Sequence, residues 1–171
     1  PSACNLNFEM LGYLVDHYDG PMHVSLGMTT ESEKDDVVDF FVRHNREDDV
    51  ILYACTSGYP VPFEDIRLLE IPHLIEKFGD TVRDIGFSGH HKGIAADVSA
   101  ITLGASWVER HFTLDRTWKG TDHAASLEPG GMRKLARDLR NVSTALAPKG
   151  DGILDIEEPQ RDKLKKVKYV E

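Results

Sequence analysis

The sequence predicts an α/β fold in which about four strand–helix units build one parallel sheet. Four short apolar runs are each followed by a segment of helical periodicity: 22–26, 50–55, 82–87 and 106–112. This alternation favours a parallel sheet, because each helix returns the chain to the edge where the next strand starts. The run at 50–55 has no polar alternation, which is typical of a strand buried on both faces.

The elements of the first half follow from their spacing and their end signals. Apolar residues at helical spacing predict an opening helix over 5–18, and Gly20-Pro21 ends it before the first strand. Thr30-Glu31-Ser32-Glu33 matches a capping box and predicts a second helix from there to about Arg46.

The second half continues the pattern with one long interruption. Residues 63–78 predict a helix broken near Pro72, and small residues over 93–103 predict a helix that packs closely on a sheet. Residues 113–128 predict a long polar loop, and loops of that length are usually functional. A last helix is predicted from Pro129, followed by a polar tail.

Composition narrows the class of protein. The 171 residues fit one domain, and a net charge of −9 argues against nucleic acid as the main partner. No apolar run approaches the ~20 residues of a membrane span, and no leader pattern is present. We therefore expect a cytoplasmic protein without a membrane partner, in which Cys4 and Cys55 are reduced thiols.

Two histidines close neighbouring strands of the predicted sheet. His90 follows the third strand and His111 ends the fourth, so parallel strands bring both to the carboxyl edge, where α/β active sites lie. Imidazole is a common ligand of divalent transition metals, and Asp122 lies on the following loop. These three residues predict a half-open metal site; the alternative is that they are structural, hydrogen-bonded groups.

Hydroxyl side chains mark the same edge. Ser25, Ser57 and Ser88 each lie at a predicted strand end, where hydroxyls can hydrogen-bond phosphate and carboxylate oxygens. Ordinary turn chemistry is the alternative explanation for each of them.

Two segments also resemble a known family. They read Gly-Phe-Ser-Gly-His at 86–90 and Glu-Arg-His-Phe-Thr-Leu-Asp-Arg-Thr-Trp-Lys-Gly-Thr-Asp-His-Ala-Ala-Ser-Leu-Glu-Pro at 109–129. In order and spacing they are similar to the hallmark segments of the sialic acid synthase (N-acetylneuraminate synthase) family, and the resemblance runs from Ser2 to about Leu146.

The resemblance implies the C-terminal half of a (β/α)8 TIM barrel, with this chain supplying strands five to eight. Residues 1–147 would form the half-barrel and residues 148–171 a polar tail too short for the antifreeze-like domain that many relatives carry. A closed barrel needs about 250 residues and eight units, so the other half must come from elsewhere. We expect either a homo-oligomer or a partner that supplies the missing half-barrel, because the unpaired backbone N–H and C=O groups of edge strands tend to pair with another strand.

The resemblance also implies the site. His90 and His111 match the ligands of a divalent metal, Mn²⁺ or Mg²⁺, and Asp122 and Tyr59 match catalytic positions, with Tyr59 lining the sugar pocket. The substrate-binding positions are Ser2, Ser25, Ser57, Ser88, Lys119 and His123. Cys4 stands where relatives have an acidic residue, which weakens a proton-accepting role there. The phosphate-binding lysines of the family belong to strands one to four.

The function implied is metal-dependent condensation of phosphoenolpyruvate with N-acetylmannosamine, or its 6-phosphate, to N-acetylneuraminate, or its 9-phosphate. The enzyme would be a C–C bond-forming transferase. Two alternatives remain open: a related synthase of legionaminic or pseudaminic acid, and a non-catalytic half-barrel that is a fragment or an assembly protein.

Overall fold

The computed structural model describes residues 1–165. The strands are β1 (Met22–Ser25), β2 (Val50–Cys55), β3 (Asp84–Gly89) and β4 (Trp107–Arg110). The helices are α1 (Phe8–His17), α2 (Glu31–Arg43), α3 (Glu70–Phe78), α4 (Ala95–Thr102), α5 (Pro129–Ala145) and α6 (Glu158–Leu164). Each predicted strand is present: β2 has the predicted bounds, β1 and β4 are shorter than predicted, and β3 is shifted by two residues.

The four strands form one parallel sheet in the order β1-β2-β3-β4, as the alternation predicted. The pairing aligns Ser25 with Tyr53, Gly86 with Trp107, and Ser88 with Glu109. Because residues paired in register point to the same side, these side chains share one face of the sheet. That face is concave, since His23 on β1 and Trp107 on β4 meet across it. The architecture is half of a TIM barrel.

The opposite, convex face of the sheet carries the hydrophobic core. Val50, Leu52 and Ala54 of β2 point to this face and are buried against α2 and α3. From the helices, Val37, Phe41, Ile71 and Leu74 are completely buried. A sheet covered by helices on one face only leaves its other face for the site or for a partner.

The helix ends follow local chemistry, with one prediction wrong. The capping box of α2 is confirmed, with Thr30 and Glu33 bonding each other's backbone amides. The helix predicted over 63–78 is not broken near Pro72, which lies in the first turn of α3. Proline is tolerated there because its missing N–H would have no partner in the first turn. The break comes earlier, where Arg67 adopts a left-handed backbone conformation with φ 56°.

The tail is more ordered than its composition indicated. A 3₁₀ turn at Asp155–Glu157 leads into α6, which has no buried residue. Residues 166–171 of the predicted tail lie outside the described part of the chain, and the domain boundary near residue 147 stays a prediction. Among residues 1–165, no helix combines the length and apolar character needed to cross a bilayer.

Candidate active site at the carboxyl edge of the sheet

The two predicted metal ligands lie side by side. His90 directly follows β3, His111 directly follows β4, and their ring centroids are 5.0 Å apart at an interplanar angle of 77°. His90 is 5% exposed, and its Nδ1 lies 3.0 Å from the carbonyl oxygen of Thr56. That bond fixes the ring and leaves Nε2 free, which is how metal-ligating histidines are usually oriented.

Asp122 joins this pair from the loop after β4. Its Oδ2 lies 3.7 Å from Nδ1 of His111, while its Oδ1 accepts a 2.6 Å hydrogen bond from the Thr121 hydroxyl. His111 and Asp122, together with His123, line an open cavity of about 380 Å³. The structure therefore places His90 and Asp122 each beside His111, and His111 and Asp122 line a space that a small substrate can enter.

The donor set fits a divalent cation. Two imidazoles within contact distance and one nearby carboxylate are nitrogen and oxygen ligands of the kind that Mn²⁺ accepts. The cavity beside His111 and Asp122 leaves room for water or a substrate oxygen to complete the coordination.

Tyr59 contacts both histidines. Its ring centroid is 4.6 Å from that of His90 and 5.4 Å from that of His111. Burial raises the pKa of the Tyr59 phenol, and negative charge at Cys55, Asp122 and Glu109 raises it further. The phenol therefore keeps its proton at neutral pH and can donate a hydrogen bond to a ligand near the two imidazoles.

A second cluster forms around Gly27, just after β1. The Ser2 hydroxyl lies 3.6 Å from the Cys55 sulfur. A Cβ placed on Gly27 would lie only 2.4 Å from the Ser57 Oγ and 2.6 Å from the Ser2 Oγ. Within the described residues, the buried Ser57 Oγ has no hydrogen-bond partner. This cluster therefore holds one hydroxyl, that of Ser57, that can still form a hydrogen bond to a ligand.

The other two predicted serines lie on the concave face of the sheet. Ser25 is 7% exposed, and the Asn5 side-chain amide donates to the carbonyl oxygens of Ser25 (3.0 Å) and Gly27 (3.1 Å). The Ser88 hydroxyl donates to the Glu109 carboxylate at 3.0 Å. To bind Ser88, an anion must replace Glu109 as the acceptor of the hydrogen bond from this hydroxyl.

Three residues of this edge were not predicted as site residues: Asn5, Gly27 and Cys55. Asn5 holds the end of β1, Gly27 permits the close approach of two serines, and Cys55 lies among them. The only sequence signal was the position of Gly27 and Cys55 at strand ends, which does not distinguish a site residue from a turn residue.

The long loop after β4 is closed at its base and internally bonded. The Leu127 amide donates to the His111 carbonyl at 2.8 Å, and the Thr113 amide donates to the Leu127 carbonyl at 3.0 Å. Inside the loop, His123 Nδ1 lies 2.8 Å from the Thr113 hydroxyl. Lys119 is exposed on this loop. Of the two loop residues predicted to bind substrate, His123 thus lines the cavity and is held by Thr113, and Lys119 does not line it.

The charge of the concave face is negative. Among the concave-facing strand residues of the described chain, the charged side chains are Asp84 and Glu109, and none is a lysine or an arginine. Serine hydroxyls alone hold a multiply charged anion weakly, since the strong partners of phosphate and carboxylate are cationic. This half of the site can thus orient an anionic substrate but does not neutralise it.

Comparison with known proteins agrees with the fold and the motifs. N-acetylneuraminate-9-phosphate synthase of Homo sapiens is 47% identical over 112 residues, covering 66% of this chain and 31% of the relative. N,N'-diacetyllegionaminic acid synthase of Campylobacter jejuni is 34% identical over 131 residues, covering 76% of this chain and 37% of the relative. The chain therefore spans about a third of the length of these curated relatives.

A solved structure matches almost the whole chain. The N-acetylneuraminic acid synthetase of Leptospira borgpetersenii superposes with a TM-score of 0.80 at 28% identity, covering 97% of this chain and 57% of that one. The sequence model of the NeuB family matches residues 1–151. The half-barrel, the paired histidines and these matches together establish that the chain belongs to the NeuB family.

Proposed function

We propose that this chain is the metal-binding half of a synthase that condenses phosphoenolpyruvate with N-acetylmannosamine or its 6-phosphate. The observation that carries the proposal is the 5.0 Å pairing of His90 and His111, with Asp122 beside His111 at 3.7 Å. Family membership supports the same activity, since the human relative is an N-acetylneuraminate-9-phosphate synthase.

The proposed reaction forms one C–C bond and one C–O bond, and it breaks a second C–O bond. Carbon C3 of phosphoenolpyruvate attacks the aldehyde carbon C1 of the open-chain sugar, and the aldehyde oxygen takes up a proton. Water adds to C2 of the former enol and loses a proton. The C2–O bond to phosphate then breaks while the C2 hydroxyl gives its proton to the departing phosphate, so that the products are a nine-carbon 2-keto acid and inorganic phosphate.

On the sugar side, the residues around the cavity have distinct tasks. His90 and His111 would hold Mn²⁺ or Mg²⁺, which supplies Lewis-acid polarisation of the aldehyde oxygen. Asp122 would accept a hydrogen bond from a sugar hydroxyl or from water, because its Oδ2 faces the cavity beside His111. Tyr59 would donate from its protonated phenol and fix the sugar against the two imidazoles.

On the phosphoenolpyruvate side, the serines would bind phosphate and carboxylate oxygens. Ser2 and Ser57 converge at Gly27, and Ser25 and Ser88 lie on the adjacent concave face. His123 and Lys119 would contribute from the loop, where a cationic group could reach a phosphorylated sugar.

A complementary half-barrel, in the same or a separate chain, is part of this proposal. The edge strands of the described sheet, β1 and β4, each pair on one side only, and the concave face lacks the cations that the substrate needs. Strands that pair with both edges would close the barrel and could bring those cations. A second copy of the chain is the other candidate for this role.

The cellular setting proposed is the cytoplasm, and the free thiols Cys4 and Cys55 support it.

One alternative substrate class has direct support. The legionaminic acid synthase of Campylobacter jejuni is 34% identical to this chain, so a different N-acylated sugar is the second candidate. A non-catalytic half-barrel remains the alternative from another class.

The test is phosphate release from phosphoenolpyruvate with Mn²⁺ and N-acetylmannosamine, with EDTA as the control. It is run with the 171-residue chain alone and with the N-terminal barrel half of a related synthase. Release that needs metal and sugar supports the proposal, and comparison of the free and 6-phosphorylated sugars identifies the substrate. No release from either folded sample would support the non-catalytic alternative.

A further inference from the structure

One arginine, next to His111 in the chain, is buried in a network of one ion pair and several hydrogen bonds to backbone carbonyls. Arg110 is the last residue of β4 and points to the helix-covered face, opposite to Glu109 and His111. Its side chain is 1% exposed, and it forms an ion pair with Asp97 of α4, which is completely buried. The ring of His91, also completely buried, lies 3.4 Å from the Asp97 carboxylate.

The guanidinium also bonds three backbone carbonyls in two separate loops. Its Nη2 donates to the carbonyl oxygen of His91 at 2.6 Å, and Nη1 donates to that of Gly93 at 2.8 Å. Its Nη2 also donates to the carbonyl oxygen of Ala125 at 3.2 Å. Arg110 therefore ties the turn after His90 to the loop segment that follows Asp122 and His123.

These bonds use the shape of the guanidinium. Arginine presents five N–H donors in a rigid plane, whereas the lysine ammonium is a single point that cannot span both loops. Ion pairing with Asp97 alone would need only a positive charge. The bonds to three carbonyls indicate that the residue also fixes backbone geometry.

We propose that Arg110 is a positioning residue for the metal site: it holds His90, His111 and the Asp122 loop in one arrangement from behind the sheet. The inference rests on the proposed function for its metal, but its structural part is measurable without one. Buried outer groups of this kind typically change metal affinity about 10–100-fold when they are removed.

The experiment uses two variants of the 171-residue chain and one matched control. Arg110→Lys keeps the positive charge beside Asp97 and loses the planar set of guanidinium N–H donors. The double variant Asp97→Asn/Arg110→Met removes both buried charges, so that neither is left unpaired. Arg46→Lys is the control, because Arg46 also pairs with an aspartate and bonds two backbone carbonyls. Arg46 precedes β2, so it lies at the amino ends of the strands, away from the proposed metal site.

Two quantities are measured: the Kd for Mn²⁺ alone by calorimetry, and hydrogen exchange of the Ala125, Ser126 and Leu127 amides without metal. These amides bond carbonyls at Asp122, His123 and His111. We expect both Arg110 variants to raise the Kd about 10–100-fold and to speed exchange at these amides, and we expect the Arg46 control to change neither.

The outcomes separate the two claims. Wild-type affinity and wild-type exchange in a folded Arg110 variant would overturn the positioning role, and so would unfolding of both variants by circular dichroism. Absence of Mn²⁺ binding by the wild-type chain would count against the proposed metal, whereas faster loop exchange in the Arg110 variants would still support the positioning role.

Discussion

The indole of Trp107 lies edge-on against the imidazole of His23, with ring centroids 5.2 Å apart. The two residues stand on the two edge strands of the sheet, β4 and β1, which are separated by two other strands. Their contact requires a strongly curved sheet, as in a barrel wall. The indole is still 42% exposed, so the interior of the half-barrel is incompletely covered.

This exposure provides a test of barrel completion. The chain has two tryptophans, and Trp118→Phe leaves Trp107 as the single emitter. We expect its emission to shift to shorter wavelength when a complementary half-barrel is added, because the indole loses contact with water. The matched Trp107→Phe variant should lose that shift. An unchanged Trp107 spectrum in an active mixture would show that the halves do not meet at this face.

Removal of one imidazole tests the metal site. We expect His111→Ala to abolish metal-dependent phosphate release. Mn²⁺ binding should weaken by more than about 100-fold, the upper end of the loss seen when a residue that only supports a metal ligand is removed. The exposed His17 on α1 provides the control, since His17→Ala should leave both quantities unchanged. Full turnover by the His111 variant would remove this residue from the set of ligands.

A methyl group at Gly27 tests the serine cluster. The added Cβ would lie within 2.6 Å of the Ser2 and Ser57 hydroxyl oxygens, so Gly27→Ala must displace both. We expect a large increase in KM for phosphoenolpyruvate with little change in Mn²⁺ affinity. The control is Gly12→Ala in α1, where a Cβ meets nothing within 4 Å. It should stabilise the helix by about 0.5–1 kcal/mol. Equal KM values for wild type and Gly27→Ala would contradict the binding role.

Acid stability tests the ion pairs between α2 and α3. Hydrogen bonds from Lys34, and then from His73, lower the pKa of the Glu31 carboxyl from 4.5 to about 2. A carboxyl whose pKa is depressed on folding stabilises the protein above its unfolded pKa. We therefore expect this contribution at neutral pH and its loss as the pH falls from about 4.5 towards 2.

The size of that effect is limited by exposure. The Glu31 side chain is 57% exposed, so Glu31→Gln should cost under about 1 kcal/mol at pH 7. Urea unfolding across this pH range should show a flatter acid dependence for this variant than for wild type. Glu64→Gln, at another exposed carboxyl, serves as the control. Parallel pH profiles for wild type and Glu31→Gln would contradict the assignment.

Much of the fold could be predicted because it depends on local patterns. Strand β2 is a continuous apolar run, and the Thr30–Glu33 capping box is a local signal; both are in place. Parallel topology then brings His90 and His111 to one edge without further information. Their 5.0 Å pairing, not only their common edge, required the structure.

The rest depends on contacts between distant parts of the chain. The break before α3 occurs at Arg67, whose left-handed backbone gives no compositional signal, whereas Pro72 gave a strong but misleading one. The convergence of Ser2 and Ser57 on Gly27 joins residues 55 positions apart in the chain. The pairing of Arg110 with Asp97 depends on how α4 packs on the sheet, which periodicity does not determine.

The absence of lysine and arginine from the concave-facing strand residues of the described sheet has a thermodynamic consequence for the proposed synthase. If the serines lie on one half, the cations on the other, and the two halves are separate chains, phosphoenolpyruvate binds tightly only where the two meet. Binding and association are then linked: the ligand strengthens the assembly by the same factor by which the assembly strengthens the ligand. Substrate concentration would then control how much closed barrel exists as well as how much of it is occupied.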